Sequence, residues 1–260
     1  MKFTGITRIY GNRTQRLATA HVLVVGVGGV GSWTVEALAR SGIGSLTLAD
    51  PDDICRSNLN RQLQALHDTI GQVKIEVLAA RVRAINPDCQ VHLFPRYVNE
   101  RTIEPLLQSD FAYVVDAIDG VMPKAGLIAR CRQHNIPVVC CGGSGGKCDP
   151  GAIRVADLAD TYHDRLLAFV RKKLRHVFHF PATGPFGVPC VFSPEPVRTA
   201  PTTECPQPAV HADHPLADEA GSRLNCDGRL GAVSFVTGSF GLRAAAHVVN
   251  ELAGGPIFPR

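Results

Sequence analysis

The sequence predicts an α/β fold: a doubly wound, mostly parallel sheet followed by a C-terminal extension. Three observations carry the prediction. Runs rich in β-branched residues alternate with helical runs through the first 150 residues. The first such strand runs straight into a glycine-rich turn, "VVGVGGVGSW" at 24–33. An acid, Asp50, then ends the next strand about twenty residues on, the spacing used by nucleotide-binding sheets.

Taken in order, "HVLVVG" (21–26) is a β-branched run stopped by glycine, and "SWTVEALARSG" (32–42) reads as a helix with glycine at its C-cap. "SLTLAD" (45–50) is the second strand. "KIEVLAARVRAINP" (74–87) has apolar residues at helical spacing and must stop before Pro87. "VHLF" (91–94), "YVVDAID" (113–119) and "PVVCCGG" (137–143) supply three more strands, the last two bridged by a helix over "PKAGLIARCRQHN" (123–135). Right-handed crossovers then give the parallel sheet.

Beyond Gly151 the pattern weakens. "DRLLAFVRKKLRHVFHF" (164–180) reads as a helix, "GVPCVFSPEPV" (187–197) as extended chain, and the proline-rich stretch 198–225 as a long loop. A helix from Ala232 to Ala253 closes the fold. The expected division is a nucleotide-binding domain over 1–160 and an extension over 161–260 packed on the same domain.

Lysine and arginine total 27 against 23 acids, an excess too small to imply nucleic-acid binding by itself. The nine cysteines form no C-x-x-C pair, so a zinc ribbon or a thioredoxin-type site has no support. The opening "MKFTGITRIYGNRTQ" lacks the apolar core of a signal peptide, and free thiols in a reducing cytoplasm are expected. "LGAVSFVTGSFGL" (230–242) is too short to span a bilayer before Arg243, so a buried or interface helix is expected there.

Gly26, Gly28, Gly29 and Gly31 sit at a strand-to-helix junction, where glycine lets the backbone approach phosphates and the helix N-terminus offers free N–H groups. Asp50 is placed to accept hydrogen bonds from ribose hydroxyls. The glycines alone leave a dinucleotide and ATP both open. "DPDDICRSNLNRQL" (50–63) separates them, because Asn58, Arg61 and Gln62 follow the acid and Lys74 comes soon after. A guanidinium and an ammonium aimed at one cleft suit a triphosphate whose charge grows during attack at phosphorus. Asp119 in "DAID" lies just past a strand end, where its carboxylate can hold Mg²⁺ or cap the helix that follows.

The motifs "GVGGVGS", Asp50, "SNLNRQ", "GQVK" and "DAID" resemble, in order and spacing, the adenylating domain of the ubiquitin-activating-enzyme-like superfamily, over roughly residues 5–160. The resemblance implies ATP and Mg²⁺ as cofactors and an acyl-adenylate intermediate. It implies that Gly28, Gly29 and Asp50 hold the nucleotide, that Asn58, Arg61, Gln62 and Lys74 bind phosphates, and that Asp119 binds the metal. Within the superfamily, "RIYG" (8–11), "EALARSGIG" (36–44), "INPDC" (85–89), "DPGAIRVADLADTYHDRL" (149–166) and "FGVPCVFSPEPV" (186–197) are similar to the bacterial tRNA threonylcarbamoyladenosine dehydratases. That family uses ATP to activate the threonyl carboxylate on an adenosine beside the anticodon, and an atom of the same side chain closes the ring.

Several further expectations rest on this resemblance. The chain is expected to be a cytoplasmic homodimer in which an arginine, Arg8 or in second place Arg13, crosses to the partner's ATP. Superfamily members that activate a ubiquitin-like sulfur carrier usually hold zinc in paired C-x-x-C motifs; none is present here, so no zinc is expected. An internal nucleophile makes a protein thiol unnecessary, although Cys190 and Cys226 stand as candidates. The cations of "RKKLRH", Arg171, Lys172, Lys173 and Arg175, with Arg165 before them, are the expected tRNA contact. A sulfur-transfer partner of the cysteine desulfurase type is also implied. The alternatives are adenylation of a ubiquitin-like sulfur carrier, an NAD-dependent oxidoreductase, and a nucleotide-sensing module without turnover.

Overall fold

The computed structural model describes residues 3–199 and 230–255. Its centre is a seven-stranded sheet in the order β3-β2-β1-β4-β5-β7-β6. The strands are β1 (His21–Val25), β2 (Ser45–Ala49), β3 (Gln90–Phe94), β4 (Tyr113–Asp116), β5 (Val138–Cys141), β6 (Arg154–Asp157) and β7 (Pro189–Phe192). All neighbouring pairs are parallel except β6 with β7, which is antiparallel. The central strands are covered on both faces and therefore read as continuous apolar runs: "HVLVV" in β1 and "YVVD" in β4 are buried almost throughout. β7 inserts between β5 and β6, so the later part of the chain contributes to the same sheet.

Helices cover the two faces. On one side α3 (Gly31–Arg40), α4 (Lys74–Ile85) and α8 (Ser234–Ala253) enclose a core with Val22, Val24, Leu38, Leu78 and Phe240. On the other, α5 (Glu100–Leu106), α6 (Val121–Gln133) and α7 (Arg165–Phe178) bury Leu23, Val114, Leu127, Leu167 and Cys190. The expected strands and helices over 21–143 are present, and so are the expected helices in 164–180 and 232–253. α8 is a packed helix: a Cβ on Gly241 would stand 2.4 Å from the Val30 carbonyl oxygen, so glycine lets α8 lie against α3. No helix among the described residues is long and apolar enough to cross a membrane.

Three kinds of element were not expected. Two short helices, α1 (Thr4–Tyr10) and α2 (Thr14–Thr19), precede the first strand. α5 carries Pro105 in its last turn, and β6 is an edge strand of only four residues. All are too short, or too exposed, to print a periodic apolar pattern. The expected loop over 198–225 and Cys226 lie outside the described residues, apart from 198 and 199.

Candidate active site

The chain leaves β1 toward β2 and β3, then returns to place β4 on the other side of β1. Such a reversal opens a crevice at the carboxyl ends of the strands. Here it is a cleft of about 1180 Å³. Gly26, Gly28, Gly29, Asp50, Asn58, Arg61, Gln62, Lys74 and Asp119 all line it.

The glycine turn is fixed by close approach. Gly26 has φ +82°, and a Cβ there would meet the Ala117 carbonyl oxygen at 2.9 Å. Gly31 does not line the cleft; its Cβ would fall 1.8 Å from the Gly26 carbonyl oxygen, so its part is to let α3 start directly against the turn. Gly28 and Gly29 lie open to the cleft, and no side chain caps the N-terminus of α3. This is a turn built to receive an anion on backbone N–H groups.

Asp50 is buried, and its two oxygens accept hydrogen bonds from the amides of Val27 (2.8 Å) and Asp52 (2.9 Å). Burial pushes its carboxyl up, against the pull of the Lys74 ammonium. It therefore ties β2 to the glycine turn, with lone pairs left to accept from a ribose. The buried Lys74 opens α4 and donates to Asp52 Oδ2 at 2.9 Å; the Tyr97 hydroxyl donates to the other oxygen at 3.4 Å. Arg61 follows a single 3-10 turn (Arg56–Asn58) and donates to the Ser57 carbonyl (2.8 Å) and Asn60 Oδ1 (3.0 Å). Burial lowers its pKa, while Asp119 across the cleft raises it. Asn58 spends Oδ1 on the Cys55 amide, and Gln62 Oε1 accepts from Gln64.

Asp119 is exposed on the turn after β4. The N-cap of α6 is Gly120, with no side-chain cap, so the helix-capping alternative for Asp119 is wrong: the helix begins at Val121, one residue too late for it. Below that turn Lys124 and Asp116 are fully buried, 2.9 Å apart. Lys124 also reaches the Asp116 carbonyl at 3.2 Å, and Asp116 Oδ1 accepts from the Ile118 amide at 3.0 Å. Burial alone would lower the Lys124 pKa; the carboxylate outweighs it and holds the ammonium above the usual lysine value.

Other expected residues are not at the cleft. Cys190 is buried in the core on β7, and burial pushes its thiol well above the usual range, which removes it as a nucleophile. Arg8 is exposed on α1 and does not line the cleft of its own chain; Arg13 donates to the carbonyls of Gly254 and Gly255, both at 3.0 Å, at the end of α8. On α7, Arg171 donates to the Thr161 hydroxyl and Arg175 stacks over Phe186 at 5.0 Å, whereas Lys172 and Lys173 are exposed. Arg165 is exposed as well.

The cleft adds Arg56, Asn60, Arg96 and Tyr97, which the sequence had not marked. Asn60 donates to the Ala232 carbonyl at 2.7 Å and so joins this loop to the start of α8. Arg56 and Asn60 sit within or beside "SNLNRQ", so their neighbourhood was legible; Arg96 and Tyr97 follow β3 with no motif around them. The far side is closed by Gly143, Ser144 and Gly145 after β5, with Met122 of α6 and Leu166 of α7.

The model of the ThiF family matches residues 4–256. A tRNA threonylcarbamoyladenosine dehydratase of Escherichia coli is 43% identical over 256 residues, covering 96% of this chain and 93% of its own length. One from Haemophilus influenzae is 43% identical over 254 residues, with the same coverage of 96% and 93%. The crystal structure of the E. coli enzyme in complex with ATP superposes with a TM-score of 0.84 at 41% identity, covering 97% of this chain and 94% of that one. A complex of the same enzyme with AMP superposes equally well, at 0.84.

Proposed function

Because this chain belongs to the ThiF family, and within it to the tRNA threonylcarbamoyladenosine dehydratases, we propose that its cleft carries out ATP-dependent dehydration of threonylcarbamoyladenosine in tRNA. One observation carries the reading into this chain's own residues. A glycine turn without a side-chain cap, the cations Arg56, Arg61, Lys74 and Arg96 and the exposed carboxylate of Asp119 line a single cleft at the reversal of the sheet.

The adenosine and phosphates lie against Gly28, Gly29 and Asp50, with Asn58, Arg61, Gln62 and Lys74 on the phosphate oxygens. An oxygen of the threonyl carboxylate bonds to the α-phosphorus, the bond to the β-phosphate bridge breaks, and pyrophosphate leaves. Arg61 and Lys74 take up charge as it grows on the phosphates. A nucleophilic atom of the same side chain then bonds to the acyl carbon and loses its proton to water, and the C–O bond to AMP breaks. Holding both groups on one substrate makes this closure intramolecular and fast. The net product is lighter than the substrate by one water.

Asp119 fits a magnesium ion. Magnesium keeps several waters and needs only one or two carboxylates beside substrate phosphates, and Asp119 is a single exposed carboxylate facing Arg61. Among the described residues no group of three or more His, Cys, Asp or Glu side chains could hold a metal ion, so an all-protein cage is not the alternative. Bound there, the ion would neutralise phosphate charge.

The acting unit in this reading is a homodimer in which Arg8, exposed and uncommitted to its own cleft, reaches the partner's phosphates. Mixing inactive Arg8→Ala and Arg61→Ala chains would then restore part of the activity. Exchange of labelled pyrophosphate into ATP tests the substrate: it should require tRNA that carries threonylcarbamoyladenosine. Exchange driven by a ubiquitin-like carrier protein instead would overturn the reading.

A further inference from the structure

The nucleotide-binding groups occupy only part of the cleft. Its volume, about 1180 Å³, exceeds the roughly 300–1,000 Å³ of single-ligand pockets. In the sheet order β2-β1-β4-β5, the glycine turn and Asp50 belong to the first two strands, and the cleft continues past Asp119 onto the end of β5. Adjacent strands are about 4.8 Å apart, so the loop after β5 lies about 10 Å along the edge from the glycine turn.

That loop, "GGSGG" at 142–146, is held at both ends. The Gly142 amide donates to the Val191 carbonyl, Gly143 to Asp164 Oδ2 and Gly146 to the Gly231 carbonyl, each at 2.8 Å. Asp164 is itself locked, because its other oxygen caps α7 at the Leu167 amide, 3.0 Å away. Between these anchors the amides of Ser144 and Gly145 find no hydrogen-bond partner among the described residues, and neither does the Ser144 hydroxyl. Both residues are half-buried and line the cleft. Glycines flank Ser144, and the Leu230 side chain packs beside Gly145. Backbone donors left unpaired in a half-buried loop are a cost that a ligand can remove, and neighbouring free amides make an anion-binding concavity.

The charges decide which anion. Arg56, Arg61 and Lys74 line the phosphate half. At the β5 end Lys147 is buried and committed to the carbonyls of Ser193 (2.9 Å), Glu195 (2.8 Å) and His163 (3.3 Å), and the Arg198 guanidinium is paired with Glu195 at 3.7 Å. Neutral donors hold a carboxylate without quenching its attack, and Met122, Leu166 and Leu230 offer apolar surface beside them.

Resting on the dehydratase reading, we propose that Ser144 and Gly145 form the acyl subsite: their amides and the Ser144 hydroxyl bind the threonyl carboxylate and aim its free oxygen at the α-phosphorus. The same donors then face the acyl oxygen as charge moves onto it during ring closure and returns when AMP leaves.

The test compares wild type with Ser144→Asp, Ser144→Ala and Ser144→Thr, using modified tRNA and the same tRNA with its threonyl carboxylate methyl-esterified. Wild type should bind the acid tenfold or more tighter than the ester, as expected for charge-assisted bonds. Ser144→Asp should abolish that preference and cut kcat/KM at least tenfold, Ser144→Ala should fall between, and Ser144→Thr should stay near wild type. ATP affinity should remain within twofold in all. Unchanged acid preference in a folded Ser144→Asp, or equal loss of ATP binding, would overturn the subsite. A wild type with no ATP-dependent action on modified tRNA would instead overturn the dehydratase reading itself.

Discussion

Arg61 and Lys74 are held in the cleft by neighbours of quite different kinds. Arg61 is anchored through the Ser57 carbonyl and Asn60, while Lys74 is paired with Asp52, whose other oxygen takes the Tyr97 hydroxyl. Both cations are thus positioned before any phosphate arrives, which is what electrostatic catalysis requires. Arg61→Ala or Lys74→Ala should each lower turnover by roughly 10²–10³-fold, measured as AMP formed with modified tRNA; near wild-type rates in both would remove these roles. Every cleft residue named from the motifs, Asp50, Asn58, Arg61, Gln62, Lys74 and Asp119, does line the cleft. Gly31 does not, because a glycine that serves packing and one that serves phosphate look identical in sequence. Nor could the sequence show Tyr97 reaching Asp52, or Asp164 bracing Gly143, since these contacts join distant segments.

At the level of elements, α3 and α4 are clamped on the same core face by Glu36. Its carboxylate takes Arg81 from α4 at 2.7 and 2.9 Å and Arg40 from its own helix at 2.7 Å. Burial would raise its pKa, but the two guanidinium groups prevail and hold it below the usual value. A carboxyl whose folded pKa is depressed stabilises the protein above its unfolded pKa, about 4.3, and that contribution is lost as pH falls through the lower folded value. Both arginines are partly exposed, so Glu36→Gln should cost only about 1 kcal/mol at pH 7. Denaturation of the two proteins by urea should show the gap at pH 7 closing near pH 3; a gap independent of pH would contradict the clamp. Long elements were legible because a buried strand or an amphipathic helix writes its period into the chain. α1, α2, α5 and β6 were not, because four to seven residues at an edge or surface write none.

Across the whole molecule, the two helical layers leave the carboxyl edge of the sheet open, and the nucleotide and acyl ends of one cleft share that edge. α7 lies on the face opposite α3 and α8, with Lys172 and Lys173 turned outward while Arg171 and Arg175 are spent on Thr161 and Phe186. The basic run read as four equivalent cations in sequence therefore divides in two. If the exposed pair meets tRNA phosphates, Lys172→Ala and Lys173→Ala should each lower the slope of log affinity against log salt by about 1, with ATP binding unchanged; an unaltered slope would place the tRNA elsewhere. The central claim is tested most directly by AMP release from ATP and magnesium with threonylcarbamoylated and unmodified tRNA side by side, together with the mass of the recovered nucleoside. AMP formed only with the modified tRNA, and a nucleoside lighter by one water, is the predicted result. No AMP with the modified tRNA, or AMP without the lost water, would contradict it.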